Sequence, residues 1–166
     1  MNVISAPWLD IPEGHYAIID PRDQGTVTYW RRKNLKAARG TRPDFGPWPL
    51  KARYGPVLYT RDVPATLHAE QRREWIRSWY AANFEPYRAA VIEAIAADPV
   101  AAGKRFADLT SRCCSCGRTL TDDLSKVYGI GPECRSGLTA EHLALYYAPR
   151  LGQAHAEYLA ARDDTA

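Results

Sequence analysis

Four cysteines lie within 22 residues, and they are the residues whose type and spacing most directly suggest chemistry. Cys113 and Cys116 are three positions apart and are followed by Gly117. Two thiolates at this spacing bind one metal ion when the chain turns between them, and glycine permits the positive φ of that turn. Cys134 follows Pro132 at a predicted helix start, where free N–H groups favour a thiolate. Thiolates suit Zn²⁺ better than Ca²⁺ or Mg²⁺, so the sequence predicts a structural zinc site.

The fourth ligand of that site is left open by the spacing. A closed structural zinc site has four ligands. His142, eight residues past Cys134 on a predicted helix, is the first choice. Cys114 is the second, since adjacent cysteines are hard to aim at one ion. Asp122, Asp123 or a water molecule are further alternatives, and so is an ordinary turn with free thiols.

A second cluster is basic and lies in the N-terminal third. Its six cations fall within fourteen positions that open with Tyr29 and Trp30, and Trp48 and Tyr54 follow. Cations beside aromatic rings favour nucleic acid, through phosphate pairing and base stacking. A solvated hairpin loop is the alternative interpretation. The predicted nucleic-acid-binding residues are Arg31, Arg32, Lys33, Lys36, Arg39 and Arg42.

No residue is predicted to be catalytic. Ser111 and Ser125 lack the surroundings of an activated nucleophile, and the GIGP segment lacks the lysine of a phosphate-binding loop. The sequence therefore favours a non-enzymatic protein, with a small enzyme at an open zinc site as a remaining alternative.

The elements that position these residues predict an α+β fold. Strands are expected over 15–20, 26–30 and 57–60, with an irregular loop over 31–56. Helices are expected after Asp62, Asn83, Asp98 and Thr139, each of which can cap a helix. The predicted organisation is a β-rich element with a basic loop (1–62), a helical segment (63–110), a zinc-finger-like module (111–138) and a C-terminal helical tail (139–166).

Composition excludes several classes of protein. The chain has 166 residues, of which 46% are hydrophobic and 25% charged, so wholesale disorder is excluded. It has no apolar run long enough to cross a membrane. Its N-terminus is unlike a signal peptide, which predicts a cytoplasmic protein. The net charge of +3 is too small to diagnose a nucleic-acid-binding protein by itself.

The cysteine segment also resembles a known pattern. It matches C-x2-C-G-R-x-L-T-D-x2-S-x3-G-I-G-P-x-C at every fixed position from Cys113 to Cys134, with Cys114 as an additional cysteine. The pattern is similar to the C-terminal module of actinobacterial and actinophage proteins of unknown function. Upstream, GHYA at 14–17 and IAADP at 95–99 are loosely similar to the same proteins. The resemblance implies a small metal-binding module in a phage or actinobacterial setting, and it implies no reaction.

Together these features predict a phage or actinobacterial accessory protein that binds nucleic acid and carries a structural zinc module. The alternative is a protein-interaction factor, such as a phage-encoded inhibitor or modulator of a host enzyme or defence complex. The basic cluster favours the first and the aromatic residues between Trp75 and Tyr87 favour the second.

Overall fold

The structure is a computed structural model that describes residues 7–139. An antiparallel sheet comes first, in the order β1 (Gly14–Asp20), β2 (Asp23–Ala37) and β3 (Gly40–Pro47). The helices follow as α1 (Ala69–Trp79), α2 (Glu85–Ala97), α3 (Pro99–Thr110), α4 (Asp123–Tyr128) and α5 (Pro132–Ser136). This combination confirms the α+β class. The predicted C-terminal helical tail lies outside the described residues, and the four-part organisation stays a prediction.

One face of the sheet packs against α2. Tyr16, Ile18 and Trp30 alternate onto this face and share a core with Val91 and Ile95. Alternate residues of a strand point to opposite faces, so the intervening residues of β1 and β2 meet a different partner.

The opposite face packs against α3 and the cysteine segment. Ala17 and Phe106 are fully buried there, and Tyr29 packs beside them. Cys113 and Cys114 belong to the same apolar cluster. The sheet and α3 thus form the base on which the cysteine segment rests.

The expected loop over 31–56 is wrong in its first half, where the structure has strand. β2 continues to Ala37 and pairs with β3, with Arg32 opposite Phe45. Phe45 stacks on Trp30 with the ring centroids 5.5 Å apart. This tertiary contact overrides the glycine and proline signals. β3 also tolerates its prolines because an edge strand can lose an N–H group without losing a bond inside the sheet.

β2 and β3 project beyond the end of β1. β1 stops pairing at Gly14, which lies opposite Arg32, while β2 and β3 remain paired from Lys33 with Asp44 to Ala37 with Gly40. Residues 33–44 are therefore a two-stranded projection, here named the basic ribbon. The expected strand at 57–60 is also absent, since Val57 and Leu58 instead line an apolar cavity beside Trp30.

Two of the expected helix starts differ from those observed. The first helix begins after His68 instead of after Asp62. Asn83 does not begin a new helix, because its side chain donates to the Trp79 carbonyl within a π-helical stretch, Tyr80–Phe84, that joins α1 to α2. Asp98 caps α3 as predicted, accepting from the Ala101 N–H at 2.9 Å. The helices within 7–139 include none that is both long and apolar enough for a membrane span.

Candidate metal centre

Three of the four cysteines converge on one point. The sulfur atoms of Cys113, Cys116 and Cys134 all lie within 4.8 Å of one another. Tetrahedral zinc with Zn–S bonds of about 2.3 Å holds its sulfurs about 3.8 Å apart, so a small inward movement of the thiolates suffices. Cys113 is buried, Cys134 half-buried and Cys116 exposed. This group can hold a metal ion.

A tight turn brings Cys116 back beside Cys113. The Gly117 N–H donates to the Cys113 carbonyl at 2.8 Å, and the Cys113 N–H donates to the Arg118 carbonyl at 2.8 Å. Gly117 has φ +76°, the positive value that the sequence predicted. The Arg112 side chain stabilises the turn by donating to the Gly117 carbonyl at 3.0 Å.

Cys134 reaches the same point through two short helices. Asp122 caps α4 by accepting from the Ser125 N–H at 2.8 Å, and α4 ends at Gly129 with φ +71°. Helix α5 then begins at Pro132, as predicted, and carries Cys134 in its first turn. Between the two helices, the Gly131 N–H points at the Cys113 sulfur at 3.5 Å.

The surroundings shift the pKa values of two of the thiols in opposite directions. Burial opposes ionisation of Cys113, but N–H groups of Cys116, Gly131 and Ser115 outweigh it and lower the pKa of this thiol. Burial, helped by the neighbouring Cys116 and Cys113 sulfurs, raises the pKa of Cys134 to about 12. Three thiolates so close together repel one another. A bound cation removes that repulsion, so the donor set fits a metal ion.

Of the proposed fourth ligands, the structure places one away from the centre. Cys114 lies outside the group of converging sulfurs, because its side chain faces α3, where a methyl group on Gly103 would lie 3.7 Å from its sulfur. Asp122 is engaged as the cap of α4. His142 lies outside the described residues.

His15 anchors the turn to the sheet, a role that the sequence analysis missed. Its backbone N–H donates to the Cys114 carbonyl at 2.6 Å, and Nδ1 of its ring lies 3.2 Å from the Ser115 carbonyl. Its ring stacks on Phe106 with centroids 5.1 Å apart. A β-carbon at Gly117 would meet that ring at 3.0 Å, so glycine is required there for close approach as well as for φ. The only available signal was the loose similarity over 14–17.

Three of the basic residues around the cysteines are used within the fold. Arg118 pairs with Glu133 at 2.7 Å, and Arg135 donates to the Ile130 carbonyl at 2.8 Å. The third, Arg112, lies over the Trp48 ring at 5.9 Å besides holding the cysteine turn. These contacts favour a structural role for the basic residues over a phosphate-binding patch.

The six predicted nucleic-acid-binding residues divide into two sets. Arg31 pairs with Asp44 at 3.3 Å, and Arg32 lies 3.5 Å from Glu13. Arg32 also donates to the Asn34 side chain at 2.9 Å, and its own side chain is only 10% exposed. These two arginines therefore belong to the base of the ribbon.

The remaining four lie on the ribbon itself. Lys33 is half-buried, while Lys36, Arg39 and Arg42 are exposed. Within residues 7–139, none of the four forms an ion pair. This leaves their charges available to a partner.

The aromatic rings near the basic cluster are committed to packing. Trp30 is 2% exposed, and Tyr54 donates to the Trp48 carbonyl at 2.9 Å. Trp48 contacts Phe106 edge-on with centroids 5.0 Å apart. Because these rings pack inside the fold, they give no support to the expectation that they stack on bases.

Comparison with protein-family models gives a match over the cysteine segment. Residues 103–139 match the model of a family of unknown function, DUF6011. A search of curated proteins gave no match, and a search of solved structures gave none. The matched region runs from within α3 through α4 and α5, and it contains every cysteine of the chain. The chain thus carries, around its three converging thiols, a region similar to the DUF6011 family of unknown function.

Proposed function

We propose that this chain is a non-enzymatic accessory protein that binds nucleic acid through its basic ribbon and is stabilised by a structural zinc ion. Cys113, Cys116 and Cys134 would hold the ion. The observation that carries the metal site is the convergence of the three sulfurs within 4.8 Å. Once bound, zinc would link α5 to the turn that rests on the sheet.

A structural role for the metal is supported by the neighbouring carboxylates. Glu133 is paired with Arg118, and Asp122 caps α4. Neither is held as a free base beside the thiolates. Thiolate ligands also donate charge to the metal, which makes a bound water a weaker acid than at a histidine-rich site. Elemental analysis of the purified protein should give about one zinc per chain.

Nucleic-acid binding is supported by the ribbon. The four cations without an ionic partner lie on a projection that β1 does not cover. Phosphate groups are the commonest partners of such exposed, clustered lysine and arginine side chains in nucleic-acid-binding proteins. The setting that we propose is the cytoplasm of an actinobacterium or of a phage-infected host, on the resemblance of the cysteine segment.

The test is the salt dependence of binding. In the variant Lys33→Gln, Lys36→Gln, Arg39→Gln and Arg42→Gln, the log–log salt slope on duplex DNA should fall by about 3 to 4, since each phosphate contact contributes about 0.9. The matched control replaces Arg22, Lys51, Arg53 and Arg73, four exposed cations elsewhere, by Gln and should keep the slope. Binding that is absent, or unchanged in the ribbon variant, contradicts the proposal.

A second candidate is the protein-interaction factor, a phage-encoded modulator of a host enzyme or defence complex. One observation favours it. An apolar cavity of about 430 Å³ lies beside the π-helical stretch, lined in part by Leu58, Phe84 and Tyr80, and Tyr80 is 43% exposed. Capture of one host protein from nuclease-treated lysate, lost on Tyr80→Ala, would support this function over the first.

A further inference from the structure

We infer that the basic ribbon enters the major groove of duplex B-form DNA. This inference rests on the proposed function, because it names the form of nucleic acid that the ribbon binds. It depends on three properties of residues 33–44: their dimensions, the chemistry of their exposed side chains and the lack of an aromatic ring.

The ribbon has the dimensions of a groove-binding element. Four residue steps separate the pair Lys33–Asp44 from the pair Ala37–Gly40. At about 3.3 Å per residue the ribbon projects about 13 Å. The major groove is about 12 Å wide and about 8.5 Å deep and admits a two-stranded ribbon, whereas the minor groove is only about 6 Å wide. The projection is long enough to reach the base edges.

One face of the ribbon carries groups suited to base edges. Lys36 lies opposite Thr41, and Asn34 precedes Lys36 by two residues, so the three share a face. All three are exposed. An ammonium, a hydroxyl and an amide hydrogen-bond the donors and acceptors of the major groove. Asn34 accepts from Arg32 through its oxygen, and its amide N–H groups remain for an acceptor.

Two further exposed cations lie on the reverse face and at the tip of the ribbon. Arg42 lies opposite Leu35, on the reverse face, and Arg39 lies in the two-residue turn at the tip. A ribbon inserted in a groove has a phosphate backbone on each side. Arg42 would therefore contact phosphate oxygens, which fix the position of the protein without reading sequence. Arg39 lies at the end that enters deepest and would reach the base edges, where arginine hydrogen-bonds guanine O6 and N7.

Other forms of nucleic acid fit less well. Residues 33–44 contain no Phe, Tyr or Trp, and single-stranded nucleic acid is held largely by stacking on such rings. The major groove of A-form RNA is deep and too narrow for side chains to read. Duplex DNA is the form that matches both the shape and the composition of the ribbon.

The experiment measures binding of the full-length protein, by fluorescence anisotropy at fixed salt, to a 20-base-pair DNA duplex, to RNA duplex of the same sequence and to the DNA single strand. Affinity for the RNA duplex and for the single strand should be at least about tenfold weaker, since the RNA groove excludes side chains and the ribbon lacks a ring. Methyl green, which occupies the major groove, should displace the protein from the DNA duplex, and netropsin, which occupies the minor groove, should not.

Two kinds of failure are distinguishable. Equal affinity for the three nucleic acids, or displacement by netropsin alone, overturns the major-groove inference. If binding to nucleic acid is nevertheless lost when the four ribbon cations are replaced by Gln, the proposed function stands. Absence of salt-dependent binding to all three overturns both. As a further check, Lys36→Gln with Thr41→Val should reduce affinity for the DNA duplex more than Lys51→Gln with Arg53→Gln does, while leaving the melting temperature unchanged.

Discussion

The cysteine centre and the basic ribbon differ in how tightly each is tied to the core. Cys113 is 1% exposed and shares an apolar cluster with Phe106 and Ile130. Lys36 and Arg39 are exposed and project beyond β1. Changes at the centre should therefore alter stability first, and changes at the tip of the ribbon should alter binding alone.

The largest effect is expected at the centre. Cys116→Ser or Cys134→Ser should release the metal and destabilise the C-terminal half of the chain, because structural zinc contributes several kcal/mol or more to the folding of such modules. Elemental analysis measures the loss of zinc, and thermal unfolding measures the loss of stability. Cys114→Ser is the matched control and should keep its zinc, since Cys114 lies outside the converging group. Purified protein with no metal and four freely titrating thiols would contradict the prediction.

The same contrast explains what could be predicted from sequence. The cysteine turn is specified locally: its spacing, the positive φ of Gly117 and the start of α5 at Pro132 were all predictable from about 22 residues. Local conformational preferences and metal-ligand spacing act over short separations, so a sequence pattern records them directly.

The ribbon could not be predicted in this way. Its strands pair because Phe45 stacks on Trp30 in a core completed by Tyr87 of α2. That core joins residues far apart in the sequence, and no spacing rule encodes it. The role of His15 was missed for the same reason, since its partner Ser115 is 100 residues away.

The base of the ribbon should contribute more to stability than the exposed part near its tip does. Arg32→Ala should destabilise the fold by about 1–3 kcal/mol, because its side chain is only 10% exposed and contacts both Glu13 and Asn34 at the base. Lys36→Ala, at an exposed position on the same strand and face, should leave stability unchanged and weaken binding. Chemical denaturation and DNA binding are measured on both variants. Loss of stability in Lys36→Ala alone would break the contrast.

The third prediction concerns His15, which joins the centre to the sheet. Burial lowers the pKa of His15, and the charges of Arg31 and Lys33 act in the same direction. The unfolded chain therefore binds a proton at higher pH than the folded protein does. The contribution of the neutral ring to stability is full above the unfolded pKa of about 6.5 and is lost as the pH falls below it.

The check is the slope of unfolding free energy against pH between about 7 and 5. His15→Gln should flatten that slope relative to the unmodified protein, whatever its effect on absolute stability. His68→Gln, at an exposed histidine before α1, is the control for replacing a histidine by glutamine. An unchanged slope in His15→Gln would show that the ring does not titrate on unfolding.

The smallest effect is expected at Glu133, beside the centre. This carboxylate is exposed and paired with Arg118 at 2.7 Å, and exposed ion pairs contribute little to stability because water screens them. Its place in the first turn of α5 is also favourable to a negative charge without any catalytic role. Glu133→Gln should therefore keep its zinc, its melting temperature and its nucleic-acid binding. A folded, zinc-loaded Glu133→Gln protein that has lost its function in cells would instead identify Glu133 as a base at an open metal site. The centre would then be catalytic, and the contrast between a structural centre and a binding ribbon would fail.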